Sequence, residues 1–300
     1  MNSDRIVFVL GAGASQPYHL PLGNQLFQRV IEDFSTDSPI RTDFLNAAPF
    51  NQKLIDDFIY VLRYSGFTSV DEFLEKRDQF VDIGKAIMAI ELLTREKSDP
   101  LWSAERNWMK FLYGKMATAK LEDFGTRNPA SFITYNYDRT LEYFFEMSLL
   151  NGYGRSAEER KEVLKRVDII HLHGRLGYLP WQEGQNRVPF GEMPITPQIL
   201  DMCQREIRVV HENIEDRDVE FGAARKLLRE AKRIYFMGFG YAQQNIERLN
   251  LAEAKPDICE GTGLDLAPKE RDSIGRRTGI IKAVQSMDCL TFLHERVDWN

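Results

Sequence analysis

Arg5–Asn24 reads RIVFVLGAGASQPYHLPLGN. Ile6 to Leu10 is a continuous apolar run that stops at Gly11-Ala12-Gly13-Ala14-Ser15. A helical pattern starts near Leu22, with Leu22, Leu26, Phe27, Val30, Ile31 and Phe34 on one face. The stretch predicts a buried strand, a glycine turn and a helix. Glycines let backbone approach backbone, or a phosphate, where a Cβ would clash. N–H groups in such a turn and at a helix start suit a pyrophosphate. The full dinucleotide fingerprint needs a third glycine three residues after the second, and Gln16 stands there, so the dehydrogenase pattern is excluded. Glu32 or Asp33 lies where a ribose-binding acid would, but both fall on an amphipathic helix, where a solvated face explains them. Pro17, Pro21 and Gly23 restrict the loop, which reads equally as a shaped lid over a ligand or as a plain connector.

The chain has 300 residues, enough for one large domain or two small ones. Its net charge of −6 argues against broad nucleic-acid binding, which rests on Lys and Arg neutralising phosphates. No apolar run approaches the roughly 20 residues that span a bilayer, and the N-terminus lacks a signal-peptide arrangement. Cys203, Cys259 and Cys289 are far apart and form no CxxC pair, so neither a zinc ribbon nor a disulfide framework is expected. A cytoplasmic location without membrane contact follows as the expectation.

Further apolar runs predict strands at Pro129–Thr134, Val167–Leu172, Lys232–Met237, Asp257–Thr262 and Cys289–Leu293. Residues 49–120 read as helical throughout. Within them, Ser69 and Glu72 have capping-box spacing for a helix reaching Phe80, and Trp102–Met116 supplies one apolar face. Pro268–Ser286 reads as a helix. Apolar strands alternating with helices predict an α/β fold, a Rossmann-like doubly wound and mostly parallel sheet. Residues 1–48 and 121–300 would form the nucleotide-binding domain, with 49–120 a helical insertion packed on it.

Ligands in such sheets bind beyond the carboxyl ends of the strands. Four predicted strands end in polar or glycine clusters: the first loop, Thr134-Tyr135-Asn136-Tyr137-Asp138, His171-Leu172-His173-Gly174, and Gly238-Phe239-Gly240. Asn136 and Asp138 can meet ribose hydroxyls, a carboxamide or water, or form an Asx turn capping the next helix. His173, with Gly174 allowing close approach, is a candidate general base. His171 reads as a packed or hydrogen-bonded residue. Ser15 lacks a nucleophile elbow and reads as a phosphate or ribose contact. Asn245, early in the helix after Gly240, reads equally as a nucleotide contact or an exposed helix position.

Taken in order, GAGAS, TYNYD, HG and GFG resemble the motifs of the sirtuin superfamily, and most closely those of the bacterial SIR2-like family. The resemblance runs from Gly11 to Gly240. It implies a sirtuin-like fold that takes NAD+ as substrate, with Gly11, Ala12, Gly13 and Ser15 gripping the pyrophosphate. Gly23 and Asn24 would belong to the lid over the ribose. Thr134 and Asn136 would lie near the nicotinamide ribose and Asp138 near the carboxamide. His173, followed by Gly174, would be the catalytic base, and Gly238, Gly240 and Asn245 would face the adenosine. The four-cysteine zinc module of the deacylases is missing, since 175–232 contains only Cys203, and Tyr135 and Tyr137 replace the usual neighbours of the asparagine. The family consists of NAD-degrading effectors of bacterial anti-phage defence. It implies an NAD+ glycohydrolase without zinc, a homo-oligomer, and activation by a partner ATPase or sensor chain. An ADP-ribosyltransferase, a deacylase, and a non-catalytic NAD or ADP-ribose sensor are the alternatives.

Overall fold

The structure, a computed structural model, describes residues 5–191, 193–209 and 214–299. The chain begins with β1 (Ile6–Leu10), α1 (Gly23–Ser35), α2 (Pro39–Ala47), α3 (Gln52–Arg63), α4 (Val70–Leu74), α5 (Val81–Leu93), α6 (Ser98–Ser103) and α7 (Trp108–Met116). It continues with β2 (Ala130–Thr134), α8 (Thr140–Tyr153), α9 (Ala157–Leu164), β3 (Ile169–His171), α10 (Pro197–Glu206) and α11 (Ile214–Glu230). It closes with β4 (Arg233–Met237), α12 (Gln243–Leu249), β5 (Ile258–Thr262), α13 (Pro268–Thr278), β6 (Ala283–Gln285) and α14 (Cys289–Glu295).

These strands form one parallel sheet in the order β3-β2-β1-β4-β5-β6. That is a Rossmann-like α/β order, and its switch point falls between β1 and β4. The alternation of β1 explains why its run is apolar throughout. Ile6, Phe8 and Leu10 enter a core shared with α7, α8 and α14, while Val7 and Val9 enter one shared with α11, α12 and α13. A third core gathers α1 to α5 with α10, and around it α5 is buried from Ile83 to Leu93. The stretch between α5 and β2 belongs to the sheet-side core instead, through Leu101, Trp108, Met109, Leu112 and Phe124.

The structure corrects four sequence expectations. Cys289–Leu293 is helical, because the Asp288 carboxylate accepts from the N–H groups of Leu290 (2.9 Å) and Thr291 (3.1 Å) and starts α14. Cys289, Phe292 and Leu293 then bury at helical spacing. The sixth strand is Ala283–Gln285, inside the predicted Pro268–Ser286 helix, which ends at Thr278 with left-handed Gly279 as its stop (φ 71°). The helix predicted from Ser69 to Phe80 ends at Leu74, and the Ser69 side chain makes no cap bond. Seven residues of straight helix rise about 10.5 Å, yet the Phe73 and Phe80 rings lie 6.0 Å apart, so the chain must turn between them. Trp102–Met116 is divided between α6 and α7, where Asn107 accepts from Lys110 N–H (3.0 Å) and donates to Leu101 O (2.6 Å).

The loops after β1 and β4 touch backbone to backbone. Gly11 N–H donates to Met237 O (3.1 Å) and Gly13 N–H to Gly238 O (2.9 Å). A Cβ on Gly238 would stand 2.0 Å from Ala14 N, and Gly238 also has φ +58°. A Cβ on Gly240 would meet nothing within 4 Å. Gly238→Ala is therefore expected to cost about 3 kcal/mol or more, and Gly240→Ala less than about 1 kcal/mol. Urea denaturation of both variants beside the wild type measures the contrast.

Candidate functional site

The first-loop glycines serve the contact with Gly238: a Cβ would lie 2.6 Å from Gly238 O at Gly11 and 2.8 Å from Gly238 Cα at Gly13. After them the chain makes two short 3-10 turns, Ala12–Ala14 and Gln16–Tyr18. These turns use the N–H groups of Ala14 (to Gly11 O, 2.9 Å) and Ser15 (to Ala12 O, 3.1 Å). Trp108 Nε1 donates to Ala14 O (2.7 Å), and the Tyr18 hydroxyl meets Asn107 Oδ1 (3.2 Å) and Met109 N–H (3.1 Å). The loop is thus braced from behind by α7. Gly23 and Asn24 are the first two residues of α1 rather than free loop, and the Gln25 side chain folds back onto Leu22 N–H (2.9 Å).

The carboxyl ends of β1 and β2 carry a line of hydrogen bonds. Asn136 Nδ2 donates to Gly11 O (3.0 Å) and to Ser15 Oγ (3.0 Å), and Ser15 Oγ donates to Asp138 Oδ2 (2.8 Å). Gly11 O can only accept, so the amide orientation is fixed and Oδ1 is the atom Asn136 can offer a ligand. The other oxygen of Asp138 accepts from the N–H (3.2 Å) and hydroxyl of Thr140, an Asx-type turn at the start of α8. Burial pushes the Asp138 carboxyl above its ordinary range, against the hydrogen bonds from Thr140 and Ser15.

A cavity of about 100 Å³ opens beside this line, lined by Ser15, Asp71, Tyr135, Asn136, Tyr137 and Asp138, with Ala12, Leu92 and the segment Leu20 to Gly23 contributing apolar surface. The helices between β1 and β2 reach it twice. The Tyr137 hydroxyl donates to Asp71 Oδ1 from α4, and burial raises that carboxyl. Arg139 is fully buried with Glu96, which accepts from its backbone N–H (2.8 Å) and pairs with its guanidinium, while Arg139 NH1 also donates to Val188 O (2.6 Å).

His173 stands outside that lining. Its ring centroid is 5.3 Å from that of Tyr135 and 6.5 Å from that of Tyr137, and both tyrosines line the cavity. Its carbonyl accepts from Arg208 N–H (2.9 Å). Gly174 has φ +74°, and a Cβ there would fall 1.8 Å from Glu206 O, so the close approach it allows is to the 206–208 backbone. The Tyr135 hydroxyl donates to Asn245 O (2.7 Å), joining the β2 loop to α12. Phe239 packs on Tyr135 at 5.1 Å, while Gly240 is exposed.

Beneath Asn136, His171 and Glu142 are each 2 % exposed. His171 Nδ1 faces Asn136 O (2.9 Å) and Nε2 faces Glu142 Oε1 (2.7 Å), with Arg175 NH1 3.8 Å from the same oxygen. Burial works against the Glu142 charge, yet His171 and Arg175 together hold its carboxyl down at about 2. Asp71, Glu96 and Glu142 carry no local sequence signal, because their partners lie 66, 43 and 29 residues away. The cysteines are buried in three separate cores, and no three His, Cys, Asp or Glu side chains gather as metal ligands among the described residues. No helix among them is long and apolar enough to cross a membrane. Neither a family model nor a curated protein matches the chain.

The depressed Glu142 carboxyl has a pH consequence. Its contribution to stability is complete above about pH 4.5, where the unfolded carboxyl is ionised, and is lost as pH falls toward about 2. The window is worth about 3 kcal/mol. The difference in unfolding free energy between wild type and Glu142→Gln is expected to shrink by that order between pH 5 and pH 2.5, read from denaturant melts across that range.

Proposed function

We propose that the chain is an NAD+ glycohydrolase, releasing nicotinamide and ADP-ribose. The observation that carries the reading is the hydrogen-bonded line of Ser15, Asn136 and Asp138 where β1 and β2 end, beside the switch point at which doubly wound sheets bind dinucleotides. The order of the sequence motifs supports it further. A dinucleotide needs a cleft of roughly 300 Å³ or more, so binding requires the roof of Leu20, Pro21 and Gly23 to move away from the cavity of about 100 Å³.

The pyridinium of NAD+ is a good leaving group, so the site's work is to hold the ribose, stabilise the developing oxocarbenium ion and deliver water to C1′. Asn136 Oδ1 would accept a hydrogen bond from that water or from a ribose hydroxyl, because both Nδ2 hydrogens are committed. Asp138 would orient the carboxamide. His173 would take the proton, directly or through a ribose hydroxyl, which requires Tyr135 to yield or the ribose to reach past it. Gly11, Ala12, Gly13, Ser15, Gly23 and Asn24 would border the pyrophosphate and ribose, with Gly238, Gly240 and Asn245 toward the adenosine. By the same resemblance the activity would serve anti-phage defence, in a homo-oligomer triggered by a partner ATPase or sensor chain.

Incubation with NAD+ and mass-spectrometric identification of products tests the reading. Wild type is expected to yield nicotinamide and ADP-ribose, and Asn136→Ala and His173→Ala to fall by about a hundredfold or more with the fold retained by circular dichroism. Intact NAD+ after prolonged incubation with concentrated wild type, alone and in cell extract, overturns it.

A further inference from the structure

Asn136 lies just past the end of β2, and two side chains satisfy its backbone. Its N–H donates to Thr134 Oγ1 (3.0 Å), and its carbonyl faces His171 Nδ1 (2.9 Å). The second ring nitrogen, Nε2, faces Glu142 Oε1 (2.7 Å). Both neighbours of the ring are oxygens: a carbonyl, which carries no hydrogen, and a carboxylate that also has the Arg175 guanidinium 3.8 Å away. A neutral imidazole has one N–H and can satisfy only one of them, whereas the imidazolium satisfies both. A packed histidine needs no such arrangement.

Resting on the glycohydrolase reading, we propose that His171 and Glu142 form a positioning pair: a buried imidazolium–carboxylate unit that grips the Asn136 carbonyl and so sets the direction of the Asn136 side chain. The charge-assisted bond to Asn136 O is stronger than a neutral one. With the Thr134 hydroxyl it fixes the Asn136 backbone from both sides. The side chain is then delivered to Gly11 O and Ser15 Oγ, with Oδ1 left for the substrate. Glu142, on the first turn of α8, supplies the counter-charge for the imidazolium. Arg175 lies on the Glu142 oxygen, and Asp138 and Arg139 where α8 begins are each close enough to feel the Glu142 charge, while Lys161, Lys165 and Glu183 line a cavity that Glu142 borders. The other face of the sheet here is apolar, with Ile133 and Leu172 packed in the core of Ala224 and Leu228 from α11.

The experiment has two arms. The first is the 15N spectrum of the His171 ring in the full chain, followed from pH 6 to pH 8 and assigned by comparison with His171→Phe. Two protonated nitrogens across that range are expected, and one protonated nitrogen at pH 8 overturns the pair. The second is steady-state NAD+ cleavage by Glu142→Ala and Glu142→Gln, with folding verified by thermal melts. In Glu142→Ala the ring loses its counter-charge, and kcat at pH 8 is expected to drop ~10- to 100-fold. KM should stay within about threefold, and kcat should recover as pH falls and the ring regains its second proton. In Glu142→Gln the amide can donate to Nε2 and hold Nδ1–H on Asn136, but the bond loses its charge, so kcat at pH 8 is expected between those of wild type and Glu142→Ala. Wild-type kcat in Glu142→Ala at every pH, or a loss carried wholly by KM, overturns the proposal. If wild type leaves NAD+ intact while both ring nitrogens remain protonated, the glycohydrolase reading falls and the imidazolium grip on Asn136 stands.

Discussion

The molecule depends on a contact that involves no side chain. Where β1 and β4 end, their loops lie against each other at a distance only three glycines permit, with Gly13 N–H on Gly238 O and the Gly238 Cα against Gly13 and Ala14. This contact fixes how the first loop leaves the sheet. The loop then presents Gly11 O and Ser15 Oγ to Asn136 from the neighbouring strand, and Ser15 passes the line on to Asp138. Had the glycines been set apart for a phosphate alone, the loop amides would stand open. Several are instead spent within the loop and across to β4. At the start of α1 the N–H groups of Leu22, Gln25 and Leu26 are likewise taken, by Gln25 Oε1, Asn24 Oδ1 and Leu22 O.

Much of this was legible in the sequence, for physical reasons. A five-residue apolar run buried on both faces needs no alternation, and Ile6–Leu10 shows none. Clusters that end parallel strands must share one edge, so the strand pattern alone brings Gly11–Ser15, Thr134–Asp138, His173 and Gly238 together. Cys289–Leu293 is a short apolar run that fits helix and strand equally, and the cap at Asp288 decides for the helix. The hidden part of the site is the long-range part. Tyr137 looked like a neighbour of Asn136 and is also the hydroxyl that meets Asp71. His171, which reads as packed or hydrogen-bonded, is both, and the sequence does not show that its partners are Asn136 O and Glu142, 35 and 29 residues away.

The helices between β1 and β2 are more than a covering layer. Glu96 closes on Arg139 and Asp71 on Tyr137, so the segment that carries Asn136 and Asp138 is gripped on either side by residues from that stretch. Removing either partner of the Arg139–Glu96 pair would strand a charge with no water to receive it. The geometry of the candidate site and the packing of these helices are therefore a single property.

The strand order also bears on how the chain is made. β1 is made before both of its neighbours in the sheet, residues 130–134 on one side and 233–237 on the other. Until residues 130–134 are made its apolar run has no neighbour, and its second edge stays open until β4 arrives. Non-local pairing of this kind folds slowly and leaves a sticky strand exposed in the meantime. The nascent chain thus carries this hazard until β4 is made, and the turn that organises the candidate site waits as long for its partner at Gly238.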